Sequence, residues 1–275
     1  MFKDFFIYSA EALAIGASTT VVVNTNLSED ADFEIVKQVA SAISRNGRVD
    51  LFESSSGRKF NDRPVALAAW FGDGRRPFVL PVTKRLPGPC VLTSTITDES
   101  AAPNQVRLAF IGAKLFARPP FPLPNYVARE AYTYTAPFVA VAVDPQGAGV
   151  IPAGGILPYA IRIQDDADFQ IRALTIAYDI AIPAASDCVA TVMIKDENTQ
   201  RNLMDRPIPV ESLGASRIAD AQPSGFFPFL LPTPKLLQHG SVLTVTVANQ
   251  DAANALSIRI SVHGTKLYAA RPIRA

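Results

Sequence analysis

The sequence is poor in the residues from which most active sites are built. Its 275 residues include two histidines, two cysteines, three methionines and one tryptophan. No run approaches the ~18 apolar residues of a membrane-spanning helix. The apolar opening stretch, 1–14, is broken by Asp4 and Glu11, so a secretory signal is not expected. Charged residues make up 19%, below the ~25% of ordinary globular chains. Net charge is +1, which gives neither a basic field to attract nucleic acid nor an acidic tail. Cys90 and Cys188 have no spacing that suits a metal or a disulfide framework. Both are expected to be reduced, as in a protein assembled in a reducing cytoplasm.

Catalytic motifs are missing as well. There is no Gly-x-Ser-x-Gly elbow, because Ser54-Ser55-Ser56-Gly57 lacks the first glycine. Phosphate-binding and dinucleotide-binding loops are absent, and so are His-x-Glu and His-Glu-x-x-His. His239 lies in a turn, Gln238-His239-Gly240, and His263 directly precedes Gly264. The expectation is a protein that is not an enzyme, with no catalytic residue, no cofactor and no bound metal. A glycosidase-type carboxylate pair is assembled in space, so motif absence does not address it.

What the chain does have is an internal echo. Glu29-Asp30-Ala31-Asp32-Phe33 returns as Asp165-Asp166-Ala167-Asp168-Phe169. Asp62-Arg63-Pro64 returns as Asp205-Arg206-Pro207, and Phe78-Val79-Leu80-Pro81 as Phe229-Leu230-Leu231-Pro232. Gly112-Ala113-Lys114-Leu115-Phe116 returns as Gly264-Thr265-Lys266-Leu267-Tyr268, and Arg118-Pro119 as Arg271-Pro272. The order is kept while the offset drifts upward, as loop insertions in a second copy would produce. The chain therefore reads as a tandem duplication.

Within each copy, short β-prone runs alternate with turns. In the first they are 5–15, 19–24, 33–43, 48–53, 65–71, 78–82, 91–97 and 106–116. In the second they are 138–143, 160–163, 169–182, 189–195, 208–210, 229–231, 242–248 and 256–268. Residues 33–43 are compatible with a strand or a short helix, with Phe33 and Ile35 favouring a strand. The pattern predicts an all-β fold: two tandem antiparallel β-sandwich domains, jelly-roll-like, related by internal duplication. The expected division is 1–118, a Pro-rich linker over 119–136, and 137–275. The prolines between Arg118 and Asn125 favour an extended, semi-rigid connector, and 126–131 could form a helical turn.

The repeated acidic turn draws the first functional question. Asp30, Asp32, Asp166 and Asp168 could supply oxygen ligands to calcium. No glycine or downstream glutamate completes such a loop, so the favoured reading is structural. The carboxylates hold a turn while Phe33 and Phe169 plug each core. Trp70, Phe71, Phe226 and Phe227 are candidates for a carbohydrate-stacking or partner surface, with packing the favoured alternative. Arg75 and Arg76 mark a solvated loop tip and a further candidate interface.

This grammar resembles small β-sandwich virion proteins of tailed bacteriophages. It runs from an apolar first strand through the Asp-Ala-Asp-Phe turn, Ser56-Gly57-Arg58, Arg-Pro, and Phe-Val-Leu-Pro or Phe-Leu-Leu-Pro. It closes on Arg107–Phe116 or Arg259–Tyr268. In plan, the tandem form also resembles double jelly-roll capsid proteins. The resemblance implies a non-enzymatic, multi-copy structural role. The leading form is a capsid decoration or cementing protein, and neck, collar or tail locations come next. Its partners would be other copies of itself, as a trimer or other cyclic oligomer, and virion proteins such as the major capsid protein. Nucleic acid and membrane are not expected partners. Location would be the virion, after assembly in the host bacterial cytoplasm. A tandem carbohydrate-binding or adhesin-like module is the competing class, and a glycan-active enzyme the third.

Overall fold

The computed structural model describes residues 1–180, 188–218 and 227–269. The first half contains β1 (Phe2–Ile15), β2 (Thr20–Leu27), β3 (Asp32–Ala42), β4 (Gly47–Glu53), β5 (Arg58–Lys59) and β6 (Val65–Ala66). The single turn α1 (Leu67–Trp70) follows, then β7 (Phe78–Leu86), β8 (Cys90–Asp98) and β9 (Asn104–Phe116). One sheet runs β1-β9-β3-β7 and the facing sheet β2-β8-β4-β5, with β6 also on β4.

The second half repeats this order. Its strands are β10 (Tyr126–Phe138), β11 (Ile156–Arg162), β12 (Asp168–Asp179), β13 (Ala190–Asp196), β14 (Arg201–Asn202) and β15 (Ile208–Pro209). After a 3-10 turn at Val210–Leu213 come β16 (Ser216–Arg217), β17 (Phe229–Leu237), β18 (Val242–Asn249) and β19 (Ser257–Ala269). The sheets are β10-β19-β12-β16, with β17 also on β12, and β11-β18-β13-β14, with β15 on β13. In each half the first strand lies beside the last and the second beside the last but one. That is the jelly-roll winding of two Greek keys. The all-β expectation is met.

Side-chain chemistry explains the ladders. β8 and β18 alternate buried and half-buried residues, the period of a pleated strand with one face in a core. β1 differs. From Asp4 to Ala10 it is buried on both faces, so it reads as a continuous apolar run rather than an alternation. Phe6, Tyr8 and Ala10 point into the first sandwich. Phe5 and Ile7, with Val39, Ala109 and Ile111, point outward into the core of the second. The two halves thus share one hydrophobic core along the outer face of the β1-β9-β3-β7 sheet.

Several expectations need correction. The linker was expected to run to residue 136, with a helical turn at 126–131, but Tyr126–Phe138 is a strand paired with β19. Tyr132, Tyr134, Ala136 and Phe138 recur with period two, and Tyr134 packs edge-on against Phe169 with ring centroids 4.9 Å apart. That packing outweighs any local helical preference. The connector proper is shorter, and Phe121 pins it by packing with Leu236 and Leu267. Residues 138–143 do not form a strand. Ala140 accepts bonds from the amides of Val143 and Asp144, closing a turn that leaves both valines, Val141 and Val143, exposed. Residues 65–71 split into β6 and α1, and Leu67 and Phe71 are buried. The Arg271-Pro272 echo and the end of the run expected at 169–182 lie outside the described residues.

Candidate functional site

The echoed motifs meet in space, in the same way in both halves. The Lys of Gly-x-Lys on the last strand reaches the first aspartate of the Asp-Ala-Asp-Phe turn. Lys114 Nζ lies 2.9 and 3.0 Å from the Asp30 carboxylate oxygens, and Lys266 Nζ 3.1 and 2.8 Å from those of Asp166. Each ammonium also sits over an aromatic ring of the first strand, Phe6 at 4.2 Å and Tyr132 at 4.3 Å. Burial opposes ionisation of Asp30, but hydrogen bonds from Ser28 and Lys114 outweigh it and hold the carboxyl below its ordinary range. The bond from Lys266 does the same for Asp166.

The second aspartate has another task. Asp32 accepts from the Arg85 guanidinium at 2.6 Å and from the Gly88 amide at 3.1 Å. These bonds lower its pKa, Arg85 first. Asp168 accepts from the His239 amide at 2.9 Å, lies 2.8 Å from His239 Nδ1, and accepts from Tyr126 at 2.7 Å. Each carboxylate therefore ties the corner to a distant loop, the one before β8 in the first half and before β18 in the second. Phe33 and Phe169 are fully buried behind it. The oxygens considered as calcium ligands are occupied by the chain's own ammonium, guanidinium and amide donors. Among the described residues no group of three or more His, Cys, Asp or Glu is placed to hold a metal.

The corner also explains its glycines. A Cβ at Gly112 would lie 1.8 Å from the Glu34 carbonyl oxygen, and one at Gly264 2.2 Å from that of Gln170. Both face irregularities in the paired strand, between Ile35 and Lys37 and between Ile171 and Ala173. There a bulge brings the backbones close.

The other candidates scatter. Phe71 is in the first core, edge-on to Phe110, and Trp70 packs on Phe71. Phe227 is exposed, whereas Phe226 lies outside the described residues. Arg75 and Arg76 are exposed, and their amides bond the Asp73 carboxylate. By strand register α1 corresponds to the 3-10 turn at Val210–Leu213, so Leu213, not Phe226, stands where Trp70 does. His263 is wedged between Thr133 and Thr175, at 3.0 and 2.7 Å, and burial lowers its pKa. Burial, with Glu53 and Asp32 nearby, pushes the Cys90 thiol up to about 11, so it is held as an inert thiol.

The residues that sequence reasoning missed lie at the seam between the halves. The free edge of β1 is completed by the second half. Ile7 donates to Leu203 O at 3.0 Å and accepts from Asp205 N at 3.0 Å, a parallel bridge centred on Met204. Lys235, fully buried, bonds Asp4 at 2.8 Å and lies 3.9 Å from Asp196. Ser9 donates to Asp205 at 3.2 Å, and burial raises the pKa of that carboxyl. Arg201 stacks 4.2 Å over Phe116. A crevice of about 330 Å³ opens here, lined by Asp30, Lys114 and Phe116 on one side and Arg201 and Asp205 on the other. The only sequence signal for this seam was the unbroken apolar character of β1.

No family model matches the chain, and no curated protein matches it. Among solved structures it is similar to the major capsid protein P2 from Bacteriophage PM2, at 9% identity over 99% of this chain and 100% of that one, with a TM-score of 0.24. It is also similar to the infectious bursal disease virus VP2 subviral particle, at 8% identity over 98% and 72%, with a TM-score of 0.29. A third is PBSX exported protein XepA, at 10% identity over 93% and 86%, with a TM-score of 0.23. The fold assignment rests on the chain's own strand order, not on these similarities.

Proposed function

We propose that this protein is a non-enzymatic structural component of a virus particle, a duplicated double jelly roll that works in many copies. Jelly rolls serve as viral capsid domains, lectins and cupins, so the site must separate these. A cupin-type metal centre lacks its ligand cluster among the described residues. A tandem lectin would present aromatics at matching positions, yet Trp70 packs inward on Phe71 and its counterpart is Leu213. What carries the proposal is where the apolar surface goes. The two sandwiches share one core along the outer face of a sheet. The crevice between them is lined by the side chains that join the two halves, Asp30 and Lys114 from one and Arg201 and Asp205 from the other.

The partners are other copies of this chain in a cyclic oligomer, a trimer presenting six similar sandwiches, and other virion proteins such as a major capsid protein. The location is the virion, after assembly in the host bacterial cytoplasm. Support for a multi-copy role comes from the open edge of β10 in the second half and the exposed 62–64 loop in the first. Mass spectrometry of purified virions tests the reading. The polypeptide is expected at a copy number tied to the shell lattice. A sub-lattice copy number would favour decoration, and absence from particles would refute a virion role.

A further inference from the structure

The seam inside the chain has an unpaired twin. Strand register matches the paired strands of the two halves. Phe6 faces Gly112 as Tyr132 faces Gly264, so Ile7 corresponds to Thr133. Glu53 faces Arg58 as Asp196 faces Arg201, so 58–64 correspond to 201–207. Phe33 faces Leu86 as Phe169 faces Leu237, so Lys84 corresponds to Lys235.

In the seam the edge of β1 receives the loop after β14. The corresponding edge, β10, pairs only with β19 among the described residues and is exposed from Val127 to Ala131. In the corresponding loop Asp62, Arg63 and Pro64 are exposed, and Asn61, the counterpart of the fully buried Met204, is half-buried.

We infer that the outer edge of β10 around Thr133 is the docking site for residues 58–64 of a second copy of this chain, in the geometry that Leu203-Met204-Asp205 adopts on β1. Complementary chemistry is kept at three side-chain contacts of the seam, whereas Lys37, which donates to the Leu230 carbonyl at 2.8 Å, has Ala173 as its counterpart. Asp4 with Lys235 becomes Glu130 with Lys84. Ser9 with Asp205 becomes Thr135 with Asp62. Phe116 with Arg201 becomes Tyr268 with Arg58. In the single chain these groups take provisional partners: Glu130 accepts from the Tyr268 hydroxyl, and Lys84 sits 4.9 Å over Phe60.

The apolar part of the seam is not kept. Ile7, Val39, Ala109 and Ile111 correspond to Thr133, Thr175, Ser261 and His263. That difference fits the two roles. The seam within a chain is permanent and core-like, whereas an interface made between folded copies is more polar. The added strand satisfies an open sheet edge. The contact is heterologous, so it runs head to tail, and it gives a ring when the rotation between copies closes.

The inference rests on the self-associating reading above, and the experiment separates the two. Light scattering on the full chain is expected to show a discrete cyclic oligomer. Glu130→Lys and Lys84→Glu each juxtapose like charges and are expected to raise the dissociation constant about tenfold or more. The double variant E130K/K84E is expected to restore it. Hydrogen exchange gives a second readout that needs no variant: the Thr133 amide is expected to be slower in the oligomer than in diluted protein. Association unchanged in both single variants, or equal exchange at Thr133, would overturn this interface and leave self-association standing. A wild-type chain that stays monomeric up to about 100 µM would overturn both.

Discussion

Lys235 offers a quantitative test of how the halves are joined. Its side chain is 2% exposed and that of Asp4 7%. At 2.8 Å the pair attracts by roughly 6 kcal/mol at an effective dielectric of 20, most of it offset by the desolvation of two charges. The sensitive quantity is the cost of leaving one partner behind. Asp196 would not be stranded, because Thr199 Oγ1 and the Asn198 amide donate to it at 2.7 and 3.1 Å. Asp4 would be, since its other oxygen is buried without a hydrogen-bond partner. Lys235→Met is therefore expected to lose about 3–5 kcal/mol, the cost of an unpaired buried charge, out of the ~5–15 kcal/mol that stabilise a typical domain. The pair D4L/K235M is expected to regain most of it. Urea unfolding followed by circular dichroism measures both, and a changed slope would show the halves separating. A K235M loss below about 1 kcal/mol, or a double variant no better than the single, would refute the reasoning.

Gly264→Ala and Gly112→Ala are expected to cost about 1–3 kcal/mol or more by forcing the backbones at the bulges apart, read as a fall in urea midpoint. Millimolar calcium is expected to leave the melting temperature unchanged, because ligand binding to the folded state would raise it. His263 is held neutral by burial, so its folded pKa lies below its unfolded value. Its contribution is intact above about pH 6.5 and is lost as pH falls through the folded pKa. The drop in melting temperature between pH 7 and 5 is expected to be smaller in His263→Gln.

How far the sequence could be read depended on whether a signal was local. β8 and β18 alternate cleanly, and their strands were legible. So were the two Asp-Ala-Asp-Phe corners, because the turn and the buried Phe are neighbours in the chain. Their partners, Lys114 and Lys266, were visible as an echo without any sign that the two echoes touch. β10 differs from the expected linker because the proline run ends at Pro124, and the period-two Tyr132, Tyr134, Ala136 and Phe138 that follow it pack as a strand. The seam was illegible for a different reason. Lys235 looks like an ordinary surface lysine until β1 is placed against it, and no local pattern encodes a contact between residues this far apart.

The shared core also sets an order of events during synthesis. The first half emerges from the ribosome carrying the Phe5, Ile7, Val39, Ala109 and Ile111 face that only the second half covers. At ~5–20 residues per second, the rest of the chain takes roughly ten to thirty seconds to follow. Through that interval each nascent chain displays an uncovered apolar sheet and an open β1 edge. Neighbouring chains on the same message carry the same face, and the Lys235–Asp4 lock closes it only when a chain's own second half arrives.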